Sequence, residues 1–336
     1  MIAKGATTAI LLSTNNIGWL IVEQLTDGMS FAAYIVFLAF IYFSLDPDEY
    51  QKMACRVNVG YLVGVVSSGL LGQLLVSRVS LVTLLCMALG TNIAALLVAF
   101  VFHNHRATTR FALKAFIRDF GNAYRDTDII RWYIWSGVAI SIHQIVLTYW
   151  QSLFLATNNE QQWNGYISSG AYFFAAFVAI IPARLGNSIN NIKNYILIGF
   201  GLLGGSLLII MGLGTNIYLS TISFIVYNCC FEFMSPIVNV QIAKKLTSRV
   251  GLLFSFNIMI ALAVQVLIQF SVSNKMFNLE ITHQFLYFGG CLVMLSFGFA
   301  LLFLMLYLSK TYKEHKQLDS FRQHLLDHNN QIQEIA

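Results

Sequence analysis

Long apolar runs alternate with short polar segments along almost the whole chain. Nine runs hold about 20 residues or more, the length that an α-helix needs to cross the hydrocarbon core of a bilayer. They cover residues 17–45, 53–76, 80–102, 129–156, 165–185, 195–213, 217–243, 251–272 and 281–308. A shorter stretch, 6–13, is either a truncated span or the apolar core of a signal peptide, and we favour the span because no small-residue cleavage site follows. The pattern predicts an all-α, polytopic membrane bundle.

Composition and charge support this prediction. Of the 336 residues, 57% are hydrophobic and 10% are charged, and mean hydropathy is +0.67, whereas soluble chains carry about 25% charged residues. The predicted spans place almost every Lys and Arg on one side of the membrane and leave Arg78 and Lys275 on the other. Because short loops rich in Lys and Arg stay in the cytosol, we expect the C-terminal tail to be cytosolic.

The longest polar segment, residues 103–128, divides the chain into two groups of spans. We expect residues 1–102 to hold the partial span and three full spans, 129–308 to hold six spans, and 309–336 to form a polar cytosolic tail. Within the linker, basic residues recur every four positions beside aromatic ones, which is typical of an amphipathic helix on anionic inner-leaflet lipids or of a solvated linker helix. These basic residues are Arg106, Arg110, Lys114 and Arg118. No nucleic-acid-binding module accompanies them.

Several motifs that suggest other chemistry are better explained by membrane packing. Gly199, Gly201 and Gly204 match a dinucleotide-binding pattern, but they lie in mid-span, where small residues let helices approach closely. The five cysteines lie in apolar segments without metal-ligand spacing. No hydrolase signature occurs. The sequence therefore predicts no enzyme, no cofactor and no metal site.

Acidic residues inside the apolar runs are the strongest indication of function. Glu23 and Asp27 lie one helical turn apart, and a carboxylate at bilayer depth costs about 2.5–3.5 kcal/mol on insertion scales. Such residues usually face a water-filled cavity, a proton or a cationic substrate. Glu232 precedes Pro236 by four positions, which indicates either a broken helix that builds a binding site or a tolerated kink. His143 is either a proton relay or a packing histidine.

Strings of residues occur in one consistent order between Glu23 and Ala300. They are Asp48-Glu49-Tyr50-Gln51-Lys52, Gly60 with Gly64, Leu71-Gly72-Gln73, Trp132 with Trp135, Tyr149 with Gln151, Asn164-Gly165, Pro236-Ile237 with Gln241-Ile242-Ala243, Phe254 with Asn257 and Gln265, and Asn278-Leu279 with Gln284-Phe285. In this order the chain resembles the family of the reduced folate carrier and the thiamine transporters, within the major facilitator superfamily.

The resemblance implies twelve spans in two six-helix halves joined by a cytosolic loop. Since three spans and a partial one precede the linker, we expect a major-facilitator bundle that lacks its first two to three helices. The implied function is the carriage of a small water-soluble vitamin across the plasma membrane by alternating access. A non-transporting or degenerate paralogue of the same fold is the alternative.

The choice of vitamin depends on charge, because folates are dianions and thiamine is a cation. The resemblance implies that folate carriers have basic residues at the positions that Asn228 and Gln265 occupy in this chain. Glu23 matches an acidic position of the family, whereas Ala33 and Ser168 depart from the family pattern. A thiamine-like cation is therefore favoured over reduced folate, and a neutral pyridoxine-like vitamer or another cation stays open. The carboxylates would meet a cation or a proton, the aromatic side chains would form walls, and the remaining polar groups would hydrogen-bond. The candidate substrate-binding residues are Glu23, Asp27, Trp132, Trp135, Thr148, Tyr149, Asn228, Glu232 and Gln265.

Overall fold

Helices account for all the regular structure in the described part of the chain. The computed structural model describes residues 2–13, 16–46, 48–101, 121, 127–157, 163–185, 189–214, 216–245, 250–273 and 276–335. The helices are α1 (Ile2–Ser13), α2 (Ile17–Ser44), α3 (Tyr50–Val76), α4 (Leu81–Val101), α5 (Thr127–Ala156), α6 (Asn164–Ala179), α7 (Ile181–Leu185), α8 (Ile189–Leu213), α9 (Ile217–Lys245), α10 (Val250–Val272) and α11 (Ile281–Ile335).

The predicted spans agree with these helices. Within the described residues, eight segments are long and apolar enough to cross a membrane, and the run at 17–45 forms α2. The prediction of an all-α, polytopic membrane bundle is therefore confirmed. The predicted amphipathic helix with Arg106, Arg110, Lys114 and Arg118 lies outside the described residues, as does Lys275.

Helix starts follow local hydrogen-bonding chemistry. The side chains of Asn16 and Asn216 accept hydrogen bonds from the amides of Gly18 and Tyr218, each at 2.9 Å, at the starts of α2 and α9. Short polar side chains at these positions satisfy amides that have no carbonyl partner within the helix. In lipid this matters more than in water, because no solvent is available for an unpaired backbone group.

Two elements differ from the predicted runs. The run at 165–185 forms one predicted span, but the helix is divided into α6 and α7 at Ile180, two residues before Pro182. Proline has no amide hydrogen to donate to the preceding turn, which explains the break. The predicted polar tail at 309–336 continues α11 as helix to Ile335. Pro236 lies inside α9, which continues on both sides of it.

Helices α8 and α11 pack backbone against backbone. A Cβ atom added at Gly289 would lie 2.6 Å from the carbonyl oxygen of Gly205, and one at Gly205 would lie 2.8 Å from the oxygen of Gly289. Gly201 and Gly204 also face α11, which agrees with the packing explanation of this glycine motif.

Helix α3 makes the main connection between the first group of helices and the second. It packs against α6, α7 and α9, while α2 packs against α10. The side-chain oxygen of Gln73 accepts a hydrogen bond from the amide of Gly165 at 2.8 Å, and the Ser169 hydroxyl donates to the carbonyl of Val66 at 3.3 Å. These bonds join the end of α3 to the start of α6. A cavity lies between the same two groups of helices, nearer the start of α3.

Candidate functional site

A central cavity of about 200 Å³ lies between the two groups of helices. Helices α2 and α3 line it from one side, and α5, α6, α9 and α10 line it from the other. Polar and aromatic side chains make up much of the lining. They include Phe31, Tyr34, Asn58, Tyr61, Trp135, His143, Tyr172, Phe231 and Glu232.

Glu232 is the acidic residue among the described residues that line this cavity. Its side chain is 5% exposed, and its Oε2 atom accepts a hydrogen bond from Nδ2 of Asn58 at 2.9 Å. The donor lies on α3 and the acceptor on α9, so the bond connects the two groups of helices. The described lining contains no Lys or Arg. An ionised carboxylate in such a place requires a cation, whereas a protonated one does not.

Aromatic side chains form a wall next to this carboxylate. The rings of His143 and Phe231 are stacked with centroids 3.5 Å apart and an interplanar angle of 6°. Tyr34 and Tyr61 lie on the other side of the cavity, with ring centroids 6.1 Å apart. Flat aromatic faces of this kind suit a planar or cationic ligand.

Two ring nitrogens in the wall are buried without a hydrogen-bond partner among the described residues. They are Nε1 of Trp135 and Nδ1 of His143. Both residues line the cavity from α5, where they lie two helical turns apart. The indole nitrogen can only donate, and the imidazole nitrogen can donate or accept, depending on its tautomer. The wall therefore offers polar contacts as well as apolar area.

The structure brings two of the nine sequence-predicted residues to this cavity, namely Trp135 and Glu232. Glu23 is buried, with 8% exposure, and lies outside the cavity lining. Asp27 forms an ion pair with Lys4, which joins α2 to α1. The two carboxylates that are neighbours in sequence thus lie away from the cavity that holds Glu232.

The other predicted residues lie elsewhere in the bundle. Trp132 lines a separate, smaller cavity between α5, α8 and α11. Thr148 is exposed and donates to the carbonyl of Gln144 at 2.8 Å, while Tyr149 is half-buried in an apolar cluster. Asn228 is fully buried and donates to the carbonyl of Phe224 at 2.8 Å. Gln265 is half-buried and does not line the central cavity.

Sequence reasoning did not select several residues of the cavity, among them Tyr34, Asn58 and Tyr61. A signal for part of this set exists in the spacing of α3, where Ala54, Asn58 and Tyr61 recur at intervals of four and three. Such positions share one face of a helix. The pattern indicates a polar and aromatic face, but it does not identify the helices that the face contacts.

Comparison with known proteins shows that this chain is similar to proteins named as transporters. A family model described as reduced folate carrier matches residues 1–114 and 105–287. A folate-like transporter of Dictyostelium discoideum is 64% identical over 304 residues, which cover 90% of this chain and 54% of the relative. The reduced folate transporter of Mus musculus is 23% identical over 331 residues, covering 85% and 64%. The human thiamine transporter 1 is 22% identical over 339 residues, covering 81% and 68%.

These matches bear on three of the sequence predictions. The resemblance to the reduced folate carrier family is confirmed, and so is the exclusion of an enzyme, because the relatives are transporters. The names refer to folate more often than to thiamine, so the matches do not support the preference for thiamine. The chain spans about half the length of the Dictyostelium relative and just under two thirds of the mouse one.

Proposed function

Because the chain belongs to the reduced folate carrier family, we propose that it carries a small water-soluble vitamin across the membrane by alternating access. The observation that carries this proposal is the central cavity, which lies between two groups of helices and holds a buried carboxylate. Carriers of this type commonly bind their substrate near the bilayer midplane, between two structural repeats. The proposal includes the plasma membrane as location and a cytosolic C-terminal tail.

The bond between Asn58 and Glu232 gives this mechanism a physical element. In alternating access the two halves rock against each other around the site. A contact that joins α3 to α9 at 2.9 Å has to lengthen or rearrange during such movement. A substrate group that binds Glu232 would compete with Asn58 for the carboxylate, and this competition would connect occupancy of the cavity to the contact between the halves.

For the substrate, the charge of the cavity favours a thiamine-like cation over reduced folate. The described lining has one carboxylate and no Lys or Arg, so a dianion would meet an acidic residue and no basic partner there. A cation with a flat ring would pair with Glu232 and pack on the wall of His143 and Phe231. In this proposal Trp135 supplies a donor from the same wall.

The remaining sequence-predicted residues take other places in the proposal. Asp27 pairs with Lys4 of α1, and in the proposal Glu23 and Asp27 would interact with a substrate cation or a coupled proton. Trp132, Thr148, Tyr149, Asn228 and Gln265 would shape the helices around the site rather than line it.

Uptake by cells that express the full chain tests the proposal. Labelled thiamine, reduced folate and pyridoxine are compared in parallel, and expression at the membrane is measured for every variant. We expect thiamine uptake in wild type and a loss of about tenfold or more in Glu232→Gln, since hydrogen bonds to charged groups contribute about 1.5–3 kcal/mol. The matched control is Glu280→Gln, which changes an exposed carboxylate outside the spans.

Each other result has a defined meaning. Uptake of folate without thiamine would refute the cation preference and leave the carrier proposal in place. Equal loss in Glu232→Gln and Glu280→Gln would refute the role of the central cavity. If none of the three vitamins moved while the protein was present at the membrane, the non-transporting alternative would replace the carrier.

A further inference from the structure

The side chain of Phe231 lies between the central cavity and a smaller one. The smaller cavity has a volume of about 20 Å³ and lies between α5, α8, α9 and α11; we refer to it as the rear cavity. Four residues line both cavities, namely Trp135, Ala139, Phe231 and Met234. A space of this size holds about one water molecule. The two cavities therefore stay separate only while these side chains keep their positions.

Phe231 has the most freedom to move among the shared residues. Trp135, Ala139 and Met234 are buried, whereas Phe231 is half-buried. Its ring is held by the stack on His143. A stacked aromatic pair favours its own arrangement by a factor of about 2–12. The ring can therefore turn away from His143 at a modest cost, and this movement would connect the two cavities.

The rear cavity has room because α8 contributes glycines to its lining. Gly201 and Gly204 have no side chain that could fill it. A Cβ atom added at Gly204 would lie 3.3 Å from Cδ2 of Leu292 and 3.6 Å from the ring of Tyr227. One added carbon atom would thus contact the wall on two sides, so the rear cavity suits a short arm of a ligand and not a second ring.

A hydrogen-bond donor lies next to this space. Nε1 of Trp135 is buried without a hydrogen-bond partner among the described residues, and an indole nitrogen can only donate. A buried donor that stays unpaired is unfavourable. A ligand arm that carries a hydroxyl or carbonyl oxygen would supply the missing acceptor.

We propose that Phe231 determines the size of the ligand that the central cavity accepts. With its ring on His143, the ligand is confined to the central cavity. With the ring turned away, a planar cation places a short arm that carries a hydrogen-bond acceptor in the rear cavity, next to Trp135. The ligand in this proposal rests on the proposed function, whereas the separation of the two cavities by Phe231 does not depend on transport.

Labelling of Cys230, which lines the rear cavity, tests the separation without any substrate. The purified full chain in detergent is treated with methyl methanethiosulfonate, and fragment-ion mass spectrometry distinguishes modified Cys230 from Cys229. We expect Phe231→Ala to be labelled about tenfold faster than wild type, since both the stack and the ring are lost. The matched control is Phe31→Ala, because Phe31 lines the central cavity and not the rear one. It should be labelled at the wild-type rate.

A second variant tests whether the label enters through the rear cavity. Gly204→Ala places a methyl group in that cavity, so its combination with Phe231→Ala should return the labelling of Cys230 towards the wild-type rate. If Phe231→Ala fails to fold, Phe231→Leu should give a smaller increase in the same direction, because it retains part of the apolar volume.

Ligand preference is measured with thiamine and O-acetylthiamine, whose arm is longer by an acetyl group. The change in melting temperature of the full chain in detergent reports the binding of each. We expect Phe231→Ala to shift the preference towards O-acetylthiamine by about tenfold or more, since one methylene group in a fitted pocket already changes selectivity by about 10–200-fold.

The two measurements have separate outcomes. Equal labelling of Cys230 in wild type and Phe231→Ala, or equal increases in Phe231→Ala and Phe31→Ala, would overturn the proposal even if thiamine binds. An unchanged ligand preference in Phe231→Ala would overturn the role of Phe231 in specificity. Binding of neither ligand to any variant would refute the proposed function, and the labelling of Cys230 would still decide whether Phe231 separates the cavities.

Discussion

The bond between Asn58 and Glu232 permits a quantitative test of the contact between the two groups of helices. Replacing Asn58 with Leu leaves the buried carboxylate without the donor that lies 2.9 Å away. Leaving a buried acceptor unpaired costs about 1–3 kcal/mol. Glu232 is 5% exposed but lines the central cavity, where water can replace part of the lost bond, so we expect a loss within that range.

A double-mutant cycle separates this bond from general effects of the substitutions. Glu232→Met removes the acceptor, and the combination with Asn58→Leu removes both partners, which is often close to neutral. We therefore expect a coupling free energy of about 1–3 kcal/mol between positions 58 and 232. Asn92→Leu is the control, because its side chain donates to the carbonyl of Ala88 in the same helix, at 2.9 Å.

Thermal stability in detergent, followed by fluorescence-detected size-exclusion chromatography, measures all the variants of the cycle. Heating rates are kept equal, because large membrane proteins often unfold irreversibly. We expect Asn58→Leu to melt several degrees below wild type and the double variant to recover most of that difference, at about 2–4 °C per kcal/mol. Additive changes at the two positions, or an equal drop in Asn92→Leu, would refute the reasoning.

Two further predictions concern helix contacts. Gly289→Ala should destabilise the protein by about 1–3 kcal/mol, because the new Cβ would meet the backbone of α8 at 2.6 Å, whereas Gly290→Ala has open space and should be neutral or stabilising. Equal melting temperatures for these two variants would contradict the packing of α8 on α11. Gln73→Leu removes the acceptor of the α6 amide and should cost about 1 kcal/mol; an unchanged melting temperature would show that this bond contributes nothing.

The sequence predicts the helices well because the bilayer imposes a simple requirement. A segment that spans the membrane has to be apolar for about 20 residues, and this requirement is local in sequence. The break between α6 and α7 also has a local contribution, since Pro182 lies two residues after it. The helical continuation of α11 beyond the membrane has no apolar signal, so the sequence pattern marks it only as polar.

Cavity residues are harder to predict because membership depends on the neighbouring helices. Glu23 and Glu232 are both carboxylates inside apolar runs, and the apolar pattern does not indicate which of them lines a cavity. In the folded bundle Glu232 accepts a hydrogen bond from Asn58 in the lining of the central cavity, whereas Glu23 lies outside the lining. Helix order in space separates the two residues, and that order is not a property of either helix alone.

The contact between α8 and α11 has a consequence for synthesis of the protein in the membrane. Helices α9 and α10 lie between these partners in the chain, so α8 is complete long before α11 exists. At about 5–20 residues per second, the ribosome needs roughly 3–14 s to proceed from Leu213 to Ile281. During this interval the glycine face of α8 lies against lipid or the insertion machinery. Correct assembly therefore requires that α8 stay available for a partner that comes after two intervening helices in the chain.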